Sequence, residues 1–219
     1  AISADDSINI WSINGRKLIS LQGQDNQDNF MNGLCFSPDS EVIVAPNQDN
    51  TIKLWRIDGK EIKTMKGHKN PIWSISCSPD GKNIVTADSG GVLIIWSTNG
   101  EQIKTFRASN QSIFDVSFSP DSQLIATAGG DSTIKLWNLD GQEIKTIGKH
   151  DNYVISVNFS PDGKIIASTS ADKTVKLSSI DGRELKTLKG HNNSVFSASF
   201  SPDNKIIASA SADNTVKLW

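Results

Sequence analysis

The sequence lacks an excess of basic residues, has little cysteine and has no long apolar runs, and each shortage closes off a class of protein. Lys and Arg number 22 against 24 Asp and Glu, a net charge of -2, so the broad electropositive surface that holds phosphate backbones is missing and nucleic acid is not expected as a partner. No apolar stretch approaches the roughly 20 residues of a bilayer span, and the first residues carry neither a basic start nor an apolar leader core. No membrane association is expected, and the chain reads as soluble and cytoplasmic. The two cysteines, Cys35 and Cys77, are too few for a disulfide scaffold. Both fall in predicted inner strands and are expected to be buried free thiols, in keeping with a reducing compartment. What is present, 37% hydrophobic and 21% charged residues over 219 positions, suits a folded chain with a real core.

The strongest positive signal is a repeat. Ser-Pro-Asp begins at Ser37, Ser78, Ser119, Ser160 and Ser201, always 41 residues apart. A second marker ends at Trp11, Trp55, Trp96, Trp137 and Trp219, with Ser178 in the one missing slot; its first step is 44 and the others are 41. The three extra residues are assigned to the polar stretch between Gln22 and Asn29.

Turn chemistry interrupts each repeat too often for a helix and divides it into four short strands, A to D. Ser-Pro-Asp joins A to B, with Pro setting φ at the second turn position. Asn14-Gly15, Asp58-Gly59, Asn99-Gly100, Asp140-Gly141 and Asp181-Gly182 join C to D and are expected to form type I′ turns. Strand B, as in 206–212, alternates small residues and suits a sheet covered on both faces. Strand D carries Lys63, Lys104, Lys145 and Lys186, charges that discourage pairing along an outer edge. Such sheets cannot bury both faces alone, and radial stacking solves that problem. The division is a single repeat domain, 1–219, with a partial blade over 1–29, repeats at about 30–66, 67–107, 108–148 and 149–189, and a partial blade over 190–219.

Gly190-His191, Ser201-Pro202-Asp203 and Asp213, six residues before Trp219, closely resemble the WD40 repeat, and the resemblance covers essentially the whole chain with the regularity of bacterial WD40 arrays. It implies an all-β propeller of four-stranded antiparallel blades, with about five repeats present. These form an arc of a longer ring, commonly seven-bladed in that family, or alternatively close into five or six blades. Arrays of this kind are often attached to signalling NTPase, kinase or protease modules, so a longer parent chain is implied. The resemblance also implies a hydrogen-bonded tetrad of His, Ser or Thr, Asp and Trp in each blade. Carried over by position, His191, Ser209, Asp213 and Trp219 make the only complete set. His68, Thr86 and Trp96 meet Gly90 where Asp belongs; Thr127, Asp131 and Trp137 meet Ser109 where His belongs; His150, Ser168 and Asp172 meet Ser178 where Trp belongs. The repeat ending at Trp55 keeps Asp49 but has Ala45 in strand B and no His.

No catalytic, cofactor or metal site is expected. His68, His150 and His191 occupy equivalent places in separate blades, whereas metal ligands converge on one ion. The glycines sit in hairpin turns rather than phosphate-cradling loops. An enzyme reading would be a hydrolase or lyase at the central opening, where Asp115 is the one acidic residue of the inner strands. The favoured reading is a non-catalytic scaffold, docking or sensor platform for a protein or peptide, using the face with the D–A and B–C loops. Five residues before each Ser-Pro-Asp stand Asn32, Trp73, Phe114, Ile155 and Phe196, with Tyr153 expected beside them. By the resemblance, this position points to the rim of the central opening, and aromatic anchors in a concave surface carry binding energy. The residues before the turn Asp, namely Ala4, Gln48, Ser89, Gly130, Ala171 and Ala212, are small or neutral and would leave such a collar open. The alternatives are that the aromatics only pack between blades, and that the array is a purely structural or self-assembling module.

Overall fold

The computed structural model describes residues 7–22, 33–47 and 49–219, and these contain 21 strands and no helix. A two-stranded sheet, β1 (Ser7–Trp11) and β2 (Lys17–Gln22), comes first. Four antiparallel sheets of four strands follow in chain order. They are β3 (Cys35–Phe36), β4 (Val42–Pro46), β5 (Thr51–Arg56) and β6 (Glu61–Lys66); β7 (Ile72–Cys77), β8 (Asn83–Asp88), β9 (Val92–Ser97) and β10 (Gln102–Arg107); β11 (Ile113–Phe118), β12 (Leu124–Gly129), β13 (Thr133–Asn138) and β14 (Glu143–Lys149); and β15 (Val154–Phe159), β16 (Ile165–Ser170), β17 (Thr174–Ser179) and β18 (Glu184–Lys189). A three-stranded sheet of β19 (Val195–Phe200), β20 (Ile207–Ser211) and β21 (Val216–Leu218) ends the described chain. Strands A to D are thus consecutive, and every pairing is between chain neighbours. The long-loop assignment falls mostly on 23–29, and Ala4, Asn32 and Gln48 also lie outside the described residues.

The turns follow from side-chain chemistry. In each Ser-Pro-Asp the serine hydroxyl donates to the aspartate two residues on, at 2.6 Å for Ser78–Asp80 and 2.7 Å for Ser160–Asp162, and accepts the N–H five residues on, as from Asn83 at 2.9 Å. The residue after each Asp is left-handed, from Ser40 (φ 61°) to Asn204 (φ 60°). The C–D hairpins differ from expectation. Their glycines have positive φ but the preceding Asn or Asp does not, so the turns are not type I′. Each is a three-residue loop closed by a left-handed glycine, as where Gly59 N donates to Arg56 O at 2.8 Å, and the register shifts beside it between Leu54 and Trp55. That bulge adds the twist that the I′ turn would otherwise supply.

The core lies between successive sheets. Val85, Ile95 and Ile125 pack with Phe118 and Trp137, and the same places recur as Ala126, Leu136 and Ile166 around Phe159. Small residues of strand B, such as Ala126, Ala128 and Ala167, are buried as their pattern predicts. The inner strands are also stitched by hydrogen bonds one repeat apart: Val116 N and Phe118 N donate to the Ser74 and Ser76 hydroxyls, each at 3.2 Å. Strand D is largely exposed, but its lysines do more than guard an edge. Lys63 Nζ reaches Asn99 O at 2.9 Å, and Lys145 Nζ likewise reaches Asp181 O, each capping the next blade's hairpin.

The cysteine expectation is overturned. Cys35 and Cys77 form a disulfide across adjacent inner strands, with Cα atoms 5.8 Å apart. Stacking brings two residues of neighbouring repeats within bonding reach, which compositional counting could not register, and the argument for a reducing compartment loses its premise.

Candidate aromatic docking face

In the last four repeats the B–C turn is tied to the start of its own strand A. Ser89 N donates to Pro71 O and Gly130 N to Ser112 O, both at 2.9 Å, and Ala171 N to Tyr153 O at 3.2 Å. This places the D–A loops, the B–C turns and the first residues of strand A on one face.

Beneath that face lie the polar clusters. His191 Nδ1 is 2.8 Å from Asp213 Oδ2, its Nε2 is 2.7 Å from Ser209 Oγ, and Trp219 Nε1 donates to the same hydroxyl at 2.9 Å. A proton on Nδ1 satisfies all three bonds, with Ser209 donating to Nε2. The Thr215 hydroxyl, with smaller help from Asn192 N–H and His191, holds the Asp213 carboxyl well below the usual carboxylate range.

This set is not the only complete one, contrary to the positional reading. Asp88 supplies the carboxylate that Gly90 lacks: His68 Nδ1 lies 3.0 Å from Asp88 Oδ2, His68 Nε2 lies 2.7 Å from Thr86 Oγ1, and Trp96 Nε1 donates to Thr86 at 2.9 Å. The aspartate reaches the histidine from the end of strand B rather than from the turn. Burial works to raise its pKa, but hydrogen bonds from His68, Val92 N–H and Asn70 together hold it below the ordinary value. The signal was Asp88 itself, two residues ahead of the vacant slot.

The other blades match their departures from the pattern. Ser109 Oγ donates to Asp131 at 3.2 Å, and Trp137 Nε1 to Thr127 at 3.0 Å. His150 lies 2.8 Å from Asp172 and 2.9 Å from Ser168, with Ser178 in place of a ring. Burial outweighs the attraction of Asp172 and lowers the His150 pKa below its ordinary value. In the repeat without His, Asp49 accepts from Asn47 Nδ2 at 2.9 Å instead.

The histidine clusters are poorly disposed for chemistry. The Ser209 hydroxyl already accepts from Trp219 and donates to His191, and the residue is 1% exposed. Among the described residues no three His, Cys, Asp or Glu side chains converge as metal ligands. Asp115 acts as a blade-to-blade stitch: it accepts from Ser74 Oγ at 2.8 Å on β7 and from Val157 N at 2.9 Å on β15. Burial pushes its pKa up despite these bonds.

An aromatic ladder joins three successive blades. The rings of Trp73 and Phe114 have centroids 4.8 Å apart, and those of Phe114 and Tyr153 are 5.5 Å apart, both pairs tilted. Trp73 and Phe114 are half-buried and Tyr153 is 42% exposed. A Cβ at Gly130 would stand 3.0 Å from Gln111 Oε1 and 3.7 Å from the Phe114 ring, so glycine keeps that side of the ladder clear. Ile155, in the same repeat as Tyr153, is half-buried, while Phe196 is exposed. Of the expected collar, Trp73, Phe114 and Tyr153 are thus brought into ring contact.

Comparison with known families gives two matches. The model for the IFT122 first beta-propeller covers residues 30–177, and the WD domain, G-beta repeat, covers 182–219. No curated protein matches the chain.

Proposed function

The chain belongs to the WD40-repeat β-propeller family, and on that premise we propose that it is a non-catalytic docking platform whose recognition face carries the D–A and B–C loops. Domains of this family generally mediate protein–protein interactions and are generally non-catalytic. The observation that carries the proposal is the Trp73–Phe114–Tyr153 ladder, a run of contacting rings that keeps accessible surface on a face built from loops. Rigid aromatics supply large contact area at low entropic cost, and they carry most of the energy where they anchor a partner. The partner in this reading is a protein or peptide, with Ile155 and Phe196 extending the contact. Neither nucleic acid nor a membrane is assigned a role. An attached signalling module in a longer parent chain would use this face as its sensor.

The test separates docking from internal packing. Trp73→Ala and Phe114→Ala, placed in the intact parent protein, are expected to abolish capture of the partners that the unaltered protein retains, identified by mass spectrometry. Their stability cost should stay well under the roughly 3–5 kcal/mol of emptying a core aromatic site. Full-sized destabilisation with undiminished capture would refute the proposal.

A further inference from the structure

The inner strands are joined through side chains at two recurring places, four and two residues before each Ser-Pro-Asp, and one joint departs from the rest. At the later joints these places make hydrogen bonds to the next blade: Ser74 and Ser76 accept from Val116 N and Phe118 N, Asp115 accepts from Val157 N, and Asn158 Nδ2 donates to Ala198 O at 3.1 Å. At the joint of β3 with β7 the same places hold Gly33, which has no side chain to offer, and Cys35, whose sulfur is bonded to Cys77. Among the described residues no side-chain hydrogen bond joins these two strands. The Cys35–Cys77 bond spans 42 positions, as the Ser76–Phe118 contact does, so a covalent link stands where the next joint has a hydrogen bond. Strand β3 depends on it more than its counterparts do. It pairs with β4 only through Cys35 with Val44 and Phe36 with Ile43, whereas β11 meets β12 along almost its whole length.

We propose that Cys77 is a thiol-exchange site at which small thiols in solution, cationic ones in preference, open this joint and release residues 33–36 from β7. An open crevice at the A–B turns leads to it. Cys77 lines that crevice beside Ser37, Val42 and Ile84 and is partly exposed, whereas Cys35 is no part of its wall. The entering thiolate bonds to Cys77 Sγ as the Cys35–Cys77 bond breaks, and the electron pair leaves on Cys35 Sγ, which takes a proton from water. A second thiolate then attacks the added sulfur; Cys77 leaves as a thiolate and is protonated, and the two small thiols depart joined as their own disulfide. The mouth of the crevice sets the charge preference. Asp39 and Asp80 stand there, and their carboxyls are held below the usual range chiefly by the Ser37 and Ser78 hydroxyls. Lys82 Nζ lies 3.6 Å from Asp80 and offsets one of them, so one net negative charge repels an anionic thiol. The apolar contacts of Val44, Leu54, Ile75 and Ile84 still hold the two sheets together, which confines the opening to the short inner strand.

The test treats the oxidised chain with cysteamine and with 2-mercaptoethanesulfonate at equal thiolate concentrations, quenches with acid, maps the adducts by mass spectrometry and follows amide exchange in the products. The adduct is expected on Cys77, formed severalfold faster by cysteamine. After full reduction, exchange across residues 33–36 should rise at least tenfold while Val116 and Phe118 keep their protection, and reoxidation with cystamine should reverse the change. In Cys35→Ser, which has no bond to open, the same thiols should leave exchange as it was. Reduction no faster than global unfolding, an adduct on Cys35, or unaltered exchange across 33–36 in the reduced chain would overturn the site. Equal rates for the two thiols would overturn its charge preference, and a rise in Cys35→Ser would show that the thiols act elsewhere. Should that variant fail to fold, the readings on the unaltered chain decide alone.

Discussion

Replacing Asp88 by alanine tests whether a displaced aspartate completes the second tetrad. The substitution removes the acceptor of the His68 Nδ1 bond at 3.0 Å and of the N–H bonds from Gly90 and Val92, both at 2.9 Å. The His68 side chain is fully buried, so its N–H loses a partner where water cannot replace it. A charge-assisted bond contributes about 1.5–3 kcal/mol and an orphaned buried donor costs about 1–3 kcal/mol, so a loss of about 3–5 kcal/mol is expected, the usual range for removing one member of a buried pair. Blades of a repeat array can open separately, so whole-chain melting would understate the effect. Amide hydrogen exchange over β8 and β9 is the better assay, with protection falling by roughly two to three and a half decades. A second substitution supplies the control. Gly90→Asp in the same chain restores the carboxylate at the position used by Asp172 and Asp213; its Cβ would crowd the Asn70 amide at 2.3 Å, the end of a flexible side chain, and otherwise the Asp88 oxygen that alanine has removed. The double variant should recover most of the protection. A loss under tenfold for Asp88→Ala, or no recovery with Gly90→Asp, would refute the reasoning.

Other consequences are open to direct measurement. Asp115→Ala leaves Ser74 Oγ and Val157 N without their acceptor and should cost about 2–3 kcal/mol; a neutral result in denaturant unfolding would show that the stitch is idle. Because the folded His150 pKa lies below its ordinary value of 6.5, the unfolded chain takes up that proton first as pH falls. The contribution of His150 is therefore intact above about pH 6.5 and lost as pH drops through the folded value, and an imidazole titrating at or above 6.5 by NMR would contradict it. Asp213→Ala should raise amide exchange in β20 at least tenfold, and unchanged exchange there would dismiss the last tetrad. Cys35→Ser/Cys77→Ser opens a loop spanning 42 residues and should cost about 2–4 kcal/mol; thiol labelling of both cysteines in the unreduced folded chain would show that the bond does not form.

Strict periodicity makes the fold legible in the sequence. Ser-Pro-Asp at a constant interval and a glycine near the end of every C–D turn are local signals, and local backbone chemistry is what a sequence encodes most directly. The final tetrad and the aromatics at one repeat position could be named for the same reason, since each repeat fixes which way its own side chains point. What lay between repeats could not be read this way. The disulfide and the Asp115 stitch both depend on how one blade sits against the next, and residues 42 positions apart met only once the sheets had stacked. Asp88 shows the same limit at shorter range: position counting asked which residue stands in a slot, whereas folding asks which carboxylate can reach the imidazole. The one-dimensional pattern therefore determined the blades, and the three-dimensional packing decided their joints, because hydrogen bonds and ring contacts between repeats obey distance rather than order along the chain.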